Sequence, residues 1–194
     1  MPPEDSRNQS DPARRPVVVL ISGIQGTGKT TLARAVAQQI QACVFSRDPF
    51  MRALLDNGMP IGGLPESGIP TVPVLGHAML TVILEQRLQL GASVVLECIM
   101  SADIIRTWNE LGQAHDAHCI TVECICSDRR LHRERVENRY RAGESEITWD
   151  IAGRAPDGYR VIPDADYVAD AVLPTATHAA AIAAIVRQAT GEAR

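Results

Sequence analysis

The residues best suited to chemistry lie together near the start of the chain, in Gly23-Ile24-Gln25-Gly26-Thr27-Gly28-Lys29-Thr30, followed by Thr31. The fixed positions match G-x-x-x-x-G-K-[ST], directly after an apolar run and directly before a helical pattern, and this context is what the motif requires. Glycines let the backbone curl until consecutive N–H groups point at anionic oxygens, and the N-terminus of the following helix adds its partial positive charge. Lys29 is placed to bridge the β and γ phosphates of a nucleoside triphosphate, with the Thr30 hydroxyl as a magnesium ligand. Gly23, Gln25, Gly26, Thr27, Gly28, Lys29, Thr30 and Thr31 are therefore the candidate nucleotide-binding residues. Lys29 is also the single lysine of the chain, the other 18 basic residues being arginines.

Further candidates flank this loop. Val94-Val95-Leu96-Glu97 reads as a buried strand that ends in a carboxylate, at the sheet edge where open α/β sheets place their ligands. Glu97 could hold magnesium through water or orient a substrate. Asp48, followed by Pro49, has the pattern of a helix N-cap with proline at the first helical position. Arginines 129, 130, 133, 135, 139 and 141 crowd one predicted helix, with Glu134 and Glu137 as available partners. Of these, Arg135 and Arg139 are four apart and share a face. The five histidines show no spacing for a metal or a nucleophile triad and read as structural or surface residues.

The elements that must position these groups follow from periodicity. Val17 to Ile21 is a continuous apolar run rich in β-branched residues, the pattern of a strand buried on both faces of a parallel sheet. Further strands are predicted at Ala42–Ser46, Ser93–Ile99, Cys119–Cys126 and Tyr167–Leu173. Helices are predicted at Lys29–Gln41, Asp48–Asp56, Val74–Leu90, Ala102–Ala114, Asp128–Ala142 and Thr175–Ala189, with Gly91 closing the third and Ser127 capping the fifth. Alternating β and α units make a parallel sheet covered by helices on both faces, an α/β three-layer αβα sandwich with five strands. Met1–Pro16 is expected to be a disordered leader and 17–194 one domain. Asn57–Pro73, with four glycines and four prolines in 17 residues, is too punctuated for a helix and too long for an ordinary connection, which suggests a functional loop.

Composition excludes other classes. The chain has 194 residues, 45% hydrophobic and 22% charged, the averages for one globular domain. A net charge of −4 and only seven aromatic residues argue against a dedicated nucleic-acid binder, which needs a basic excess. No apolar run is long enough to span a bilayer and no secretory signal is evident, so no membrane partner and a cytoplasmic location are expected. The five cysteines lie in apolar runs and are expected to be reduced and buried.

On the Gly23–Thr30 loop, the Ser46-Arg47-Asp48 segment, Glu97 and Arg135-x-x-x-Arg139, the chain resembles the small P-loop kinases over about residues 17–189. That group includes gluconate and shikimate kinases, chloramphenicol phosphotransferase, the kinase part of polynucleotide kinases, and zeta toxins. The resemblance implies a P-loop NTPase fold and an ATP- and magnesium-dependent phosphotransferase. It implies that Asp48 contacts the acceptor hydroxyl and acts as its base, that Arg52 binds substrate, and that Glu97 serves magnesium or substrate. It also implies a lid over about 128–160 whose Arg135, as a catalytic residue with Lys29 and Asp48, and Arg139, as a nucleotide-binding residue, close over the phosphates, guanidinium groups being able to fork onto phosphoryl oxygens. Guanine-specific relatives resemble one another in an N-K-x-D element, which a chain without a second lysine lacks, so ATP is expected. The acceptor is expected to be a hydroxyl on a small molecule; a polynucleotide 5′-hydroxyl, a nucleotide sugar, or a nucleotide switch with no acceptor are the alternatives.

Overall fold

The computed structural model describes residues 15–154, 162 and 164–191. Five strands, β1 (Val17–Gly23), β2 (Cys43–Ser46), β3 (Val94–Glu97), β4 (His118–Ile125) and β5 (Tyr167–Asp170), pair in parallel in the order β2-β3-β1-β4-β5. The helices are α1 (Lys29–Ile40), α2 (Arg47–Asp56), α3 (Val72–Gln89), α4 (Ala102–Ala114), α5 (Arg129–Arg141), α6 (Trp149–Ala152) and α7 (Thr175–Thr190).

The two faces of β1 explain its unbroken apolar run. Val17, Val19 and Ile21 pack with Leu32 and Val36 of α1 and Ile182 and Val186 of α7. Val18 and Leu20 pack on the other face with Leu80, Leu84 and Leu88 of α3 and Ile105 and Trp108 of α4. Alternate residues thus enter two cores, giving the expected three-layer α/β sandwich around a parallel sheet. Trp108 is fully buried, and its Nε1–H donates to Thr81 Oγ1 at 2.8 Å, which removes the penalty for the indole nitrogen. Because β1 lies between β3 and β4, its C-terminal loop sits where the winding of the sheet reverses, the position at which such sheets bind ligands.

Local chemistry moves several boundaries. Asp128, not Ser127, caps α5: its Oδ1 accepts from the backbone N–H of Arg130 and Leu131 at 2.9 and 3.0 Å. Ser127 instead donates its own N–H to Asp170 Oδ1 at 3.0 Å. Asp48 is likewise not a cap; α2 starts one residue earlier, at Arg47, with Ser46 in the cap position and no side-chain capping bond. Pro49 is accommodated because its missing N–H falls in the first turn, where no intrahelical acceptor exists. β5 stops at Asp170 because the chain turns there, Leu173 N donating back to Asp170 O at 3.0 Å.

The segment between α2 and α3 has more structure than its composition suggested. Leu64 and Ile69 bridge around a 3₁₀ turn at Pro65–Ser67, and α3 already begins at Val72, taking Pro73 into its first turn. The cysteines divide: Cys98 and Cys124 are buried, Cys119 and Cys126 are partly exposed, and Cys43 is exposed at the edge strand. Arg15 and Pro16 belong to the ordered fold rather than to a leader, since Pro16 O accepts from His118 N at 2.9 Å and Arg15 pairs with Asp116 at 3.0 Å. Residues 1–14 of the expected leader, and 155–160 of the expected lid, lie outside the described residues.

Candidate active site

The loop between β1 and α1 is fixed from both sides. Gly23 has φ 142°, and a Cβ there would run into the backbone carbonyl of Cys124 on β4, so glycine is required for close approach. Gly26 has φ 82°, and a Cβ would lie 2.7 Å from Val136 Cγ2 and 3.0 Å from His132 Cδ2 of α5. Inside the loop, Thr27 Oγ1 donates to Ile24 O at 2.8 Å and Lys29 Nζ donates to the same carbonyl at 3.0 Å. The ammonium group therefore lies across its own loop. Burial pulls the Lys29 pKa below its ordinary value; the negative charges of Glu97 and Asp48 oppose this, and Arg139 adds to it.

Parallel register brings the carboxylates beside the lysine. Glu97, the last residue of β3, pairs with Ile21 on one side and Ser46 on the other. Its side chain is buried, and Thr30 Oγ1 donates to Glu97 Oε2 at 3.2 Å. The chain leaving β2 at Ser46 then delivers Arg47 and Asp48 next to it. Burial pushes the nearby Cys98 thiol up to about 12, with the charges of Arg47 and Lys29 opposing and those of Glu97 and Asp48 adding to the rise.

The Thr30 and Glu97 oxygens suit magnesium, a hard cation that takes one or two protein ligands and completes its shell with phosphates and water. Among the described residues no cluster of three or more His, Cys, Asp and Glu forms a metal cage, so an ion here would depend on the nucleotide for its remaining ligands.

Arg135 and Arg139 diverge although both lie on α5. Arg135 Nη2 donates to Ala171 O at 3.1 Å and helps line a small cleft between Thr27, Gly28 and Leu32 on one wall and Leu173 and His178 on the other. Arg139 is half-exposed, 3.8 Å from Glu144, and close enough to Lys29 to lower its pKa. Arg133 pairs with Glu137 at 2.6 Å in solvent, as the charge pattern suggested. Arg52 is not brought to the site: it is exposed, 3.9 Å from Asp56 and 3.8 Å from Glu146.

Several neighbours of the site were invisible in the pattern. Arg47 is mostly buried, its Nη1 lies 3.1 Å from His77 Nε2, its Nη2 lies 3.8 Å from Asp48, and its Nε is buried without a hydrogen-bond partner. His77 Nε2 is also 3.2 Å from Ile99 O, and burial, with the Arg47 charge assisting, holds its pKa below the usual value. The signal that could have found Arg47 is Gly76 in the second turn of α3: a Cβ there would lie 2.7 Å from Arg47 Cγ, so the helix keeps a glycine where the arginine stem crosses it. His132 and His178, read as structural or surface, both border the loop and cleft, and α6 with Trp149 was not foreseen.

Comparison with known proteins agrees with this geometry. Residues 18–152 match the model of a family described as an AAA domain, and the chain belongs to that family. An uncharacterized protein of Mycobacterium tuberculosis (H37Rv) is 33% identical over 140 residues, which is 70% of this chain and 28% of that protein, and a Mycobacterium bovis protein matches equally. The chain thus spans about 28% of the length of the curated relatives it matches.

Solved structures share the fold of small P-loop kinases. A Chloroflexus aurantiacus protein provisionally named a kinase has a TM-score of 0.71 at 21% identity, covering 90% of this chain and 98% of that one. The APS kinase of Mycobacterium tuberculosis, solved with AMPPNP and APS, gives 0.62 at 16%, covering 90% and 99%. A gluconokinase of Sinorhizobium meliloti gives 0.59 at 16%, covering 92% and 95%.

Proposed function

We propose that the protein is a kinase that transfers the γ-phosphoryl group of ATP to a hydroxyl of a small molecule in the cytoplasm. The observation that carries this reading is the glycine loop with Lys29 lying across it at 3.0 Å from Ile24 O and the Thr30–Glu97 pair at 3.2 Å, at the C-terminal edge of a parallel sheet where Ser46, paired with Glu97, leads into Asp48. Phosphoryl transfer asks little covalent work of a protein and mainly needs positioning and positive charge around the moving group.

In this reading Gly23 to Thr31 hold the triphosphate and Lys29 leaves Ile24 O to bridge the β and γ phosphates. Thr30 and Glu97 are the residues that would hold magnesium, which supplies charge neutralisation at those phosphates. Asp48 accepts the proton of the acceptor hydroxyl as its oxygen bonds to the γ phosphorus and the bond to the β-phosphate oxygen breaks, leaving ADP. Arg139, beside Lys29, meets the charge that develops on the transferred group, whereas Arg135 belongs to the cleft beyond Gly28 and serves nucleotide binding. Arg52, directed to Glu146, would reach substrate only after the exposed pairs part. The turn at 57–71, with Ile61 and Leu64 exposed, supports a closing segment over the acceptor.

Lys29→Met tests the reading at its root: ATP binding measured by calorimetry disappears while the fold, followed by circular dichroism, persists. Unchanged affinity refutes the assignment. Screening hydroxyl-bearing metabolites for ATP-dependent mass gain then identifies the acceptor, and phosphate release without any acceptor would favour a nucleotide switch instead.

A further inference from the structure

The Gln25–Gly26 peptide sits between a flexible glycine at left-handed φ and helix α5. His132 is buried on α5, and its Nε2 lies 2.6 Å from Gln25 O. A carbonyl can only accept, so Nε2 carries the proton and the imidazole donates. The ring is held from behind by Trp149 of α6, edge-on at 5.2 Å between centroids and 88° between planes. Trp149 in turn lies under the Arg129 guanidinium at 5.4 Å. Val136, one turn along α5, closes the remaining space beside Gly26.

A trans peptide points its C=O and N–H in opposite directions. With Gln25 O drawn toward α5, Gly26 N–H must face away from α5, the orientation in which it can serve a phosphate oxygen. Glycine at 26 would permit the peptide to flip, which would turn that donor toward the helix and its carbonyl oxygen toward an anion. We propose that His132 is a positioning residue that locks this peptide, so that the phosphate loop is preorganised by the lid helix and nucleotide affinity depends on the Arg129–Trp149–His132 stack. The inference rests on the nucleotide-binding reading above.

The test titrates AMPPNP with magnesium into wild type, His132→Leu, which keeps apolar bulk but no donor, and His132→Gln, whose amide can place an N–H where Nε2 was. The leucine variant is expected to bind about five- to tenfold more weakly, the worth of one such bond, and the glutamine variant to return to within about twofold of wild type. A purely structural role would make affinity follow melting temperature rather than the presence of a donor. Equal affinity in wild type and leucine, or a folded glutamine variant no better than leucine, overturns the proposal. Should the leucine variant not fold, proton NMR of the wild type decides: a slowly exchanging His132 Nε2–H resonance supports the bond and a rapidly exchanging one refutes it. Failure of wild type to bind AMPPNP would instead refute the nucleotide-binding reading itself.

Discussion

Asp48 separates stability from catalysis in one position. The sequence pattern allowed a capping role, whose loss costs about 1 kcal/mol. In the structure the side chain is 79% exposed, makes no capping bond, and meets Arg47 only at 3.8 Å. What remains for stability is a carboxylate in the first turn, worth about 0.3–1 kcal/mol through the helix dipole, and a weak ion pair worth about 0–1 kcal/mol before screening. Together these are at most about 2 kcal/mol, so Asp48→Asn and Asp48→Ala should lower the melting temperature by no more than about 4–8 °C in a domain of this size. Loss of a general base costs about 10²–10⁴ in rate, roughly 2.7–5.4 kcal/mol of barrier, larger than the stability effect available here. The assay pairs thermal melts with turnover at saturating ATP and acceptor. Turnover within about threefold of wild type in both variants would refute the reasoning and move the base to Glu97, and a melting loss well beyond about 8 °C would show a bond that the structure does not contain.

Arg135 and Arg139 of α5 should split rather than act alike. Arg139→Ala should lower turnover about tenfold or more with little change in ATP affinity, and Arg135→Ala, which opens the cleft and abandons Ala171 O, should weaken ATP binding several-fold; identical profiles would refute the split. The Cys98 thiol, raised by burial from 9.0 to about 12, contributes stability that is complete below pH 9 and is lost as pH rises toward 12, because the unfolded chain releases that proton first. Urea denaturation across pH 8–10.5 should show this decline, made shallower in Cys98→Ala, and an unaltered slope in that variant counts against it.

The parts of the fold legible from sequence are those governed by local pattern. Val17–Ile21 is apolar at every position because both its faces are covered, and the glycines at 23, 26 and 28 are needed at left-handed φ whatever packs nearby. Glu97 was readable because a lone carboxylate ending a buried strand has few structural uses, and its register with Ile21 does place it against Thr30. Cap positions failed where two candidates were adjacent: Ser127 and Asp128 both favour capping, and the choice fell to Asp128 because Ser127 N is bound by Asp170 from a strand 43 residues away. A contact of that range leaves no local trace.

The same reasoning explains why the second layer of the site was missed. Arg47, His77 and His132 carry no motif of their own; each matters through a helix that tertiary packing brings to the loop or to β3. What does survive in sequence is the cost of admitting them. A glycine inside a helix loses about 0.5–1 kcal/mol relative to alanine, and α3 accepts that loss at Gly76, where Arg47 crosses it. Gly26 and Gly28, at nearly the same left-handed φ, play different parts by the same criterion. A Cβ at Gly28 would meet nothing within 4 Å, so its glycine answers to backbone conformation alone, whereas Gly26 must also make room for His132 and Val136. A glycine with both constraints marks a place where another element bears on the loop, and here that element is the helix that carries Arg135 and Arg139.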